Sequence, residues 1–416
     1  MSVTLPINEV VESVSITHKF DKPVLKFLNT SDVENGKIIN VNHLPIEDLK
    51  GQAKKTIKKY DILFSEIRPK NRRFAYIDFD DTYDFVVSTK LMVLRKFNPN
   101  VDNKYFYYFL TNDLMLSILQ DRAENRIGSF PQITFDLLSE YSIRVPHISE
   151  QNKIAAVLSA LDSKIELNNR INAELESMAK TIYDYWFVQF DFPDKNGKPY
   201  KTSGGKMVWN EELRREIPEG WESGELNKLG DIIGGSTPSK AVEENFCIGG
   251  GMPWITPKDL SINKGKKYIT RGELDVTESG LKSASLKIMP AGTVLLSSRA
   301  PIGYLAISRE NVTTNQGFKS FIPSSNFSTE FIYYTIKNLI PEIEANSSGS
   351  TFQEVSTSTL KTIKTVLPSD EFLFSFDKKI KPLFIKQDLL EKENQELAEL
   401  RDWLLPMLMN GQVRVN

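Results

Sequence analysis

Two segments of the chain repeat apolar residues with a helical period over a long distance, whereas most of the remaining sequence shows short, strand-like apolar runs. Residues 149–187 contain no Gly or Pro, and apolar side chains recur every three or four positions from Leu158 to Ile182. Residues 369–416 repeat this pattern and end it near Gly411. The spacing predicts two long helices, and its persistence over about four heptads favours a coiled coil between them.

When the two helical segments are aligned on each other, their heptad positions coincide, with Leu158 on Ile380 and Asn172 on Asn394. A polar Asn in such a seam lowers stability but fixes the register of the helices. The alternative is that each helix packs only on its own domain. The predicted seam residues are Leu158, Leu161, Ile165, Asn172, Leu175 and Ile182 in the first segment and Ile380, Leu383, Leu390, Asn394, Leu397 and Leu404 in the second.

The regions before the two helices contain the same features in the same order, which indicates an internal duplication. "YDILFSEIRPKNRRFAYI" at residues 60–77 resembles "GTVLLSSRAPIGYLAI" at residues 292–307, because both pass from an apolar strand through Ser to a basic corner and into a second apolar run. Farther along, "YFYYFLTND" resembles "FIYYTIKN". Equivalent positions are Asp32 and Asp259, Ser65 and Ser297, Tyr107 and Tyr333, Gly128 and Gly349, and Pro146 and Pro368.

Each copy is expected to contain short strands, an aromatic helix, a Gly-Ser loop and a short helix, which predicts two similar α/β (α+β) domains. Because only a short segment separates the first long helix from the second domain, the second helix has to run back antiparallel to pair with the first. A helix of roughly 38 residues is about 57 Å long, so the domains are expected at opposite ends of a pseudo-two-fold symmetric rod. The predicted division is residues 1–148 for the first domain, 149–187 for the first coiled-coil helix, 188–216 for a linker, 217–368 for the second domain, and 369–416 for the second coiled-coil helix and C-terminal segment.

Composition restricts the class of protein. With 416 residues, of which 40% are hydrophobic and 25% charged, the chain is typical of a globular protein with more than one core. The single Cys247 excludes an internal disulfide framework and a multi-thiolate metal site. The N-terminal residues lack the pattern of a secretory signal and no stretch is long and apolar enough for a membrane span, so a cytoplasmic protein without a membrane partner is expected. The net charge of −2 argues against a uniformly basic coat for nucleic acid but not against local basic patches.

The sequence does not indicate catalysis. A DNA methyltransferase would need an Asn/Asp-Pro-Pro-aromatic tetrad and a Gly-rich cofactor loop, and neither is found. The three histidines, His18, His43 and His147, occur in different settings, so neither a His-based metal site nor a catalytic triad is expected. We therefore expect a chain without catalytic residues, metal or cofactor.

Three longer segments resemble the specificity subunit of type I restriction-modification systems. Residues 217–240, "IPEGWESGELNKLGDIIGGSTPSK", look like the start of that family's target recognition domain, and residues 187–221, "FVQFDFPDKNGKPYKTSGGKMVWNEELRREIPEGW", are similar to the linker before it. Residues 400–415, "LRDWLLPMLMNGQVRV", look like its C-terminal segment. The resemblance covers essentially the whole chain, although "LPINEVVESVS" in the first domain is only a short version of the expected Pro-x-Gly-Trp segment.

The resemblance implies a non-catalytic subunit in which each target recognition domain reads one half of a bipartite double-stranded DNA target and the helices set the spacer between the halves. Methylation and cleavage, as a bacterial defence, would belong to modification subunits, expected in two copies, and to restriction subunits that join the complex. Trp186, Trp403 and the run "LLPMLM" are candidates for docking the modification subunits, or else pack on the adjacent domains. The alternative function is a coiled-coil protein-interaction scaffold without sequence-specific DNA binding.

Cationic side chains on loops would supply phosphate contacts, and amides or hydroxyls would read base edges. The basic corner could instead be a solvated turn, and the hydroxyls of the Gly-Ser loop could be helix caps rather than neighbours of phosphate-binding amides. Lys54, Lys55, Lys58 and Lys59 fit either a phosphate-facing helix or a solvated face. The DNA-binding candidates of the first domain are Arg68, Lys70, Arg72 and Arg73 at the corner and Gly128, Ser129 and Gln132 in the loop.

The second domain contains a corresponding set of candidates. Asn and Gln can each contact adenine through two hydrogen bonds, although the run "TTNQG" is also ordinary turn chemistry. The tyrosines of the aromatic helices, such as Tyr107 and Tyr333, are expected in the core rather than as base-stacking platforms. The DNA-binding candidates of the second domain are Lys264, Lys266 and Lys267 in a basic stretch, Arg299 at the equivalent corner, Thr314, Asn315 and Gln316, and Ser350, Thr351 and Gln353 in the second Gly-Ser loop.

Overall fold

A computed structural model of the chain describes residues 2–49, 53–125, 131–299, 301–348 and 353–415, and for residues 53 and 54 it describes only the backbone. The chain forms two units, Met1–Ile165 with Gln395–Asn416, and Glu166–Asn394. Each unit contains one domain of short strands and a part of each long helix. None of the helices in the described ranges has the length and apolarity needed to cross a membrane.

The strands of the first unit are β1 (Val3–Pro6), β2 (Val11–Ser13), β3 (Val24–Leu28), β4 (Val33–Glu34), β5 (Lys37–Ile38), β6 (Asn42–Pro45), β7 (Ala53–Thr56), β8 (Ile62–Ser65), β9 (Phe74–Tyr76), β10 (Phe85–Ser88), β11 (Leu91–Lys96) and β12 (Ser142–Val145). Its helices are α1 (Asn103–Thr111), α2 (Asp113–Glu124), α3 (Phe135–Ser139) and the beginning of α4 (Ile148–Tyr183). Two four-stranded sheets have the orders β6-β3-β10-β7 and β2-β11-β8-β9. Only the pairing of β3 with β10 is parallel among these neighbours, and β1 pairs antiparallel with β12.

The strands of the second unit are β13 (Met207–Asn210), β14 (Arg215–Pro218), β15 (Glu222–Glu225), β16 (Gly230–Gly234), β17 (Phe246–Cys247), β18 (Met252–Ile255), β19 (Tyr268–Ile269), β20 (Leu274–Val276), β21 (Val294–Leu296), β22 (Leu305–Ser308), β23 (Thr313–Thr314), β24 (Lys319–Pro323) and β25 (Lys364–Leu367). Its helices are α5 (Pro257–Ile262), α6 (Glu278–Ser283), α7 (Thr329–Ala345), α8 (Thr357–Thr362) and most of α9 (Asp370–Asn410). The main sheets have the orders β16-β24-β21-β22-β19 and β17-β20-β18-β23.

The equivalent strands β8 and β21 lie in the interior of a sheet in the first and the second domain. In β8 the middle residue Leu63 packs toward the other sheet, whereas its neighbours Ile62 and Phe64 pack with the helices. In β21 Leu295 is likewise separated from the residues on either side of it. Since successive side chains of a strand point to opposite faces, an unbroken apolar run forms where both faces of the sheet are covered.

The two domains also share a local hydrogen-bonding device. Asp32 and Asp259 are each the third residue of a short helix, and each forms a capping box with the residue that starts the helix, Asn29 or Thr256. In a capping box the two side chains satisfy each other's free backbone N–H groups. The shared strand order and caps confirm the duplication that the sequence predicts.

Two features of the second unit differ from the first. Strand β19 pairs parallel with β22, and within the described residues the first unit has no strand in the corresponding place beside β9. Residues 188–216, predicted to be a linker, contain β13 and pack aromatic side chains of Phe192 and Tyr200 into the core of the unit. A π-helical turn, Asp184–Val188, leads into this segment from α4.

In the second unit, α4 and α9 pack against each other antiparallel. Asn168 Nδ2 donates to Oδ1 of Asn394 at 2.9 Å, and Gln387 Nε2 donates to the backbone oxygen of Asn172 at 3.2 Å. The residue numbers on α9 therefore fall as those on α4 rise. The hydrogen-bond partner of Asn394 is thus Asn168, which is completely buried, whereas Asn172 is only partly buried.

In the first unit the same two helices meet through Arg401, which donates from Nη1 to Oδ1 of Asp162 at 2.8 Å. All of the predicted seam residues of both helices are buried or half-buried. The docking candidates lie in different environments. Trp186 is buried in the second unit, and Leu405, Leu408 and Met409 of the run "LLPMLM" are buried in the first, whereas Trp403 is 57% exposed.

The prediction of a helix at Lys54, Lys55, Lys58 and Lys59 is wrong, because the first two lie in strand β7. Lys55 donates from Nζ to the backbone oxygen of Leu91 at 2.9 Å, and burial lowers the pKa of its ammonium. Lys59 forms an ion pair with Asp80 at 2.8 Å. The segment pairs with β10, and the side chains of Lys55 and Lys59 bind within the domain.

Candidate nucleic-acid interface

The basic corner of the first unit is a tightly turned segment between β8 and β9. It contains a 3-10 helix, Pro69–Asn71, between two residues with left-handed backbone, Arg68 at φ 47° and Arg72 at φ 53°. The buried hydroxyl of Ser65 accepts a hydrogen bond from the N–H of Ile67 at 3.1 Å. Because non-glycine residues seldom adopt left-handed backbone angles, the corner has a specific conformation that surrounding contacts maintain.

The four cations of this corner fall into two pairs. Arg68 and Lys70 are exposed, and within the described residues neither side chain has a hydrogen bond or an ion pair. Arg72 forms an ion pair with a carboxylate at the start of α2, and Arg73 forms one with a carboxylate of β4 at 3.4 Å. Among the described residues, therefore, no carboxylate competes with a phosphate for Arg68 and Lys70.

The end of the first Gly-Ser loop lies against this corner. Gln132 forms a β-bridge with Ile67, and its Nε2 donates to Oε2 of Glu66 at 2.7 Å. The sequence-predicted residues Gly128 and Ser129 lie outside the described residues. The structure thus brings Gln132 to the basic corner, although the two are far apart in the sequence.

The second unit repeats this arrangement with different side chains. Arg299, at the equivalent corner, forms a β-bridge with Glu354, and its Nε donates to Oε2 of that residue at 2.9 Å. Gln353 is exposed beside it, and Ser350 and Thr351 lie outside the described residues. In both units, therefore, the basic corner pairs through its backbone with the segment that follows the Gly-Ser loop.

An open groove beside β18 and β23, which we call the Asn315 groove, collects a second group of polar side chains. The residues that define it are Thr237, Lys240, Trp254, Lys258, Asn315 and Gln316. The exposed Gln316 accepts a hydrogen bond through Oε1 from the hydroxyl of Thr237. Asn315 Oδ1 accepts from the N–H of Gly317 at 2.9 Å, and no described residue accepts from its Nδ2.

The structure corrects the prediction for Thr314, which belongs to β23 and is only 1% exposed. Its side chain is directed into the domain, because neighbouring residues of a strand alternate between faces. Its Oγ1 has no hydrogen-bond partner among the described residues. Thr314 is therefore buried and is not a surface contact for DNA.

Sequence reasoning missed the other side of the Asn315 groove. Lys240 lies with its ammonium 6.0 Å from the centre of the Trp254 ring, and Lys258 forms an ion pair with Glu273 at 2.5 Å. The segment "GGSTPSK" contains Lys240 and Thr237, but nothing in the sequence connects it with Gln316. The pairing of β16 with β24, and a hydrogen bond from the N–H of Ser236 to the backbone oxygen of Thr314 at 3.0 Å, bring these segments together.

The basic stretch of the second domain divides into exposed and buried lysines. Lys264 and Lys266 are exposed, and neither has a side-chain partner in the described part of the chain. Lys267 is only 4% exposed and forms an ion pair with Glu176 at 2.7 Å, so its prediction as a DNA contact is wrong. A buried ammonium that neutralises a carboxylate of its own chain cannot reach a phosphate at the surface.

The duplicated domains, each with cationic and amide side chains on a surface corner, define a nucleic-acid recognition protein of two domains on a helix pair. Within the described ranges, no group of three or more His, Cys, Asp and Glu side chains is placed to hold a metal ion. The tyrosines of α1 and α7 are buried or half-buried and contribute to the two cores, as the sequence predicts.

Comparison with known proteins identifies the family. The model of the type I restriction modification DNA specificity domain matches residues 5–177 and again residues 218–399, so the chain belongs to this family and contains the domain twice. It is 33% identical to the type I restriction enzyme HindI specificity subunit of Haemophilus influenzae, over 96% of this chain and 97% of that protein. It is also 40% identical to the MjaIX specificity subunit of Methanocaldococcus jannaschii, over 48% of each chain.

A solved structure has the same fold. The type I restriction-modification S subunit from M. genitalium is 17% identical and superposes with a TM-score of 0.56, over 98% of this chain and 96% of that one. The resemblance seen in the sequence and the predicted fold of two similar α/β (α+β) domains with long helices are therefore confirmed.

Proposed function

We propose that the two domains of this specificity subunit each read one half of a split double-stranded DNA target. Members of its class recognise DNA and leave methylation and cleavage to other subunits, so the chain itself is not an enzyme. The observation that carries the proposal is the duplicated pairing of a basic corner with the segment after a Gly-Ser loop, Ile67 with Gln132 and Arg299 with Glu354. A scaffold that binds only proteins has no need for two equivalent cationic corners.

The corners fit contacts to the DNA backbone. Arg68 and Lys70 have no carboxylate partner in the described residues and can bind phosphate directly. The ion pair of Arg299 with Glu354 is partly exposed, with 46% and 35% of the two side chains accessible. Exposed pairs of this kind contribute about 0–1 kcal/mol, so a phosphate can replace Glu354 at little cost.

The Asn315 groove fits contacts to base edges. Asn and Gln side chains can both donate to and accept from the edge of adenine in the major groove. Asn315 uses its oxygen within the turn, and its amide nitrogen is left for a base. Lys240 on the other side of the groove places a cation close to the same surface, whereas the charge of Lys258 is paired with Glu273.

The long helices set the spacing between the half-targets and bind the partner subunits. The recognition domains are residues 1–148 and 217–368, the coiled-coil helices lie within 149–187 and 369–416, and 188–216 connects them. Large apolar side chains on the outer face of a helix are typical of a protein interface. In α9 the exposed ones are Phe374, Ile385, Leu389, Leu400 and Trp403, at 74%, 60%, 55%, 43% and 57%.

Two copies of a modification subunit dock on these helices, and restriction subunits join through the resulting complex. The complex acts in the cytoplasm, where the DNA that it protects or cleaves is found. No small-molecule cofactor is assigned to this chain, because the methyl donor belongs to the modification subunits.

The proposal is tested by sequencing the methylated bases in the genome of a host that expresses this chain with its modification subunit. We expect methylation at one split, asymmetric motif with a spacer of fixed length. The control is a variant with Arg68→Ala and Lys70→Ala, in which methylation should fall at every occurrence of the motif because phosphate contacts are lost.

Methylation at a continuous motif, or methylation that does not depend on this chain, would contradict the proposal. A protein-only scaffold also predicts no salt dependence of DNA binding by the purified complex. A DNA-reading complex has to lose affinity steeply as salt rises, because phosphate neutralisation releases counterions.

A further inference from the structure

A buried polar network in the second unit connects its domain with both long helices. We call it the Lys267 node. Its members are Lys267, Arg309 and Tyr334 from the domain, Glu176 from α4, and Gln387 and Glu391 from α9. Charged groups of this kind are seldom buried unless they are paired.

Lys267 occupies the centre of the node. Its Nζ lies 2.7 Å from Glu176 Oε2 and donates to Oε1 of Gln387 at 2.6 Å. It also lies 3.6 Å from the centre of the Phe384 ring. One side chain of the domain thus contacts α4 and α9 at the same time.

The backbone of the domain is bound to α9 as well. Glu391 Oε1 accepts from the N–H of Lys267 at 2.7 Å, and its Oε2 accepts from the N–H of Tyr268 at 3.2 Å and from Arg309 at 2.9 Å. These N–H groups belong to β19 and the residue before it. Since β19 has no counterpart in the described residues of the first domain, this attachment is not a feature of the duplicated fold.

A second contact connects α4 with the aromatic helix of the domain. Glu176 accepts from the hydroxyl of Tyr334 at 3.0 Å and from Lys337 at 2.6 Å. The carboxylate therefore receives donors from both α7 and the segment before β19. The domain is held at two separate places on its surface, and both contacts are directional.

Directional buried contacts define an orientation more sharply than apolar packing does. Apolar side chains tolerate small shifts, whereas a displaced buried charge loses its partner in a medium that cannot solvate it. A buried ion pair often adds little net stability over an apolar pair of the same shape. The arrangement therefore fits a role in geometry.

We propose that the Lys267 node is a positioning device that fixes the orientation of the second recognition domain on the two helices and thereby narrows the range of DNA spacer lengths that the complex accepts. The inference rests on the proposed function, because a spacer exists only in a split target. Lys267 and Glu176 are positioning residues, since neither touches DNA.

The test uses the complex of this chain with its modification subunits. The complex methylates a library of DNA in which the two half-targets are separated by spacers of different length, and sequencing gives the methylation rate for each length. We expect Lys267→Met to reduce the preference for the favoured spacer over its nearest neighbours by about tenfold, which is within the usual range of coupling between sites. Both half-target sequences should stay unchanged.

The matched control is Lys287→Met, which removes the same charge from an exposed position of the same domain that is not a DNA-binding candidate. It should leave the ratio between spacers as in the wild type. Since Lys267→Met could impair folding, Glu176→Gln is measured in parallel, because it removes the charge but keeps the shape and part of the hydrogen bonding. Tryptophan fluorescence reports folding of the second unit, which contains four of the five tryptophans.

A broader spacer preference in Lys267→Met or Glu176→Gln with unchanged half-targets supports the inference. A uniform loss of rate at all spacer lengths, or complete loss of methylation in both variants, overturns it, because the node would then serve only stability. If the wild-type complex shows no split target at all, the proposed function itself has failed, and this result is distinguishable from a failure of the inference.

Discussion

The two units attach equivalent domains to the long helices in different ways. In the first unit the hydroxyl of Tyr108 donates to Asp162 at 2.6 Å, and Arg401 donates to the same carboxylate at 2.8 Å. In the second unit the equivalent Tyr334 donates to Glu176 at 3.0 Å, and this carboxylate is part of the larger Lys267 node. The tyrosine was retained after the duplication, whereas the charges around it diverged.

The place of the bound helix relative to the domain also differs between the two units. Asp162 lies on α4, which directly follows the first domain, and Glu176 also lies on α4, which precedes the second domain. Both tyrosines therefore bind α4, which is the following helix for the first domain and the preceding helix for the second. The two domains thus share sheets and caps but differ in their attachment to the long helices.

The largest effect is expected where the buried charges are concentrated. Lys267→Met should lower the free energy of unfolding of the second unit by about 3–5 kcal/mol, the usual cost of removing one partner from a buried ion pair. Asp162→Asn in the first unit should cost about 1.5–3 kcal/mol, because it weakens hydrogen bonds to a charged group that is partly exposed. Urea unfolding followed by tryptophan fluorescence, with hydrogen exchange to resolve the first unit, measures both. Equal losses in the two units would contradict the comparison.

The second expected effect is a dependence of the stability of the second unit on pH. Burial alone would raise the pKa of Glu176, but the charges of Lys267 and Lys337 and their hydrogen bonds outweigh it and lower the pKa to about 2. Burial lowers the pKa of Lys267 to about 8, so its ammonium persists at neutral and acidic pH. A carboxylate with a lowered pKa stabilises the fold above its unfolded value, near 4.5, and this contribution is lost as the pH falls toward 2.

Urea unfolding at several pH values tests this behaviour. The stability difference between the wild type and Glu176→Gln should be largest near pH 6 and should shrink steadily below pH 4.5. Lys266→Met serves as a control for general charge effects. A difference that does not change between pH 6 and pH 3 would show that the ionised form of Glu176 has no special role.

A smaller and equal effect is expected where the two domains are alike. Asn29→Ala and Thr256→Ala each remove the first residue of a capping box, and each should cost about 1 kcal/mol. Both side chains satisfy N–H groups at the start of a short helix, which is a 3-10 helix at Thr30–Asp32 and an α-helix at Pro257–Ile262. Urea unfolding of the two variants measures this loss of free energy. A difference of more than about twofold between them would mean that the two capping boxes do not contribute equally to the stability of their domains.

The smallest effect concerns the basic corner of the first unit. Arg68→Ala and Lys70→Ala should each reduce the slope of log affinity against log salt by about 0.9, the value for one released counterion on double-stranded DNA. Arg72→Ala should change it less, because Arg72 is already paired with a carboxylate of α2. Binding of the complex to its target at several salt concentrations gives these slopes. An equal change for all three would remove the distinction between free and paired cations.

Periodic and repeated features could be predicted from the sequence. The helix pair follows from the spacing of apolar residues in α4 and α9, and the duplication follows from repeated local patterns that align Asp32 with Asp259. These features depend on neighbours in the chain, so they leave a trace in a single sequence.

Features that depend on distant segments could not be predicted. Lys267 follows two exposed lysines, and no local pattern distinguishes it from them. Its burial results from Glu176 and Gln387, which come from two helices far away in the chain. Likewise, the Asn315 groove needs Lys240 from a separate segment, which the pairing of β16 with β24 brings beside Asn315.

The central claim, that each domain reads its own half of the target, is tested most directly by a pair of substitutions at equivalent exposed positions. The parallel pairings of β3 with β10 and of β18 with β23 place Thr89 and Gln316 at corresponding sites. The measurement is the sequence of the methylated motif in hosts that express Gln316→Ala or Thr89→Ala with the modification subunit. We predict that Gln316→Ala relaxes the sequence of one half-target and leaves the other half intact, and that any change from Thr89→Ala falls in the other half. A change in both halves caused by either single substitution would contradict the claim.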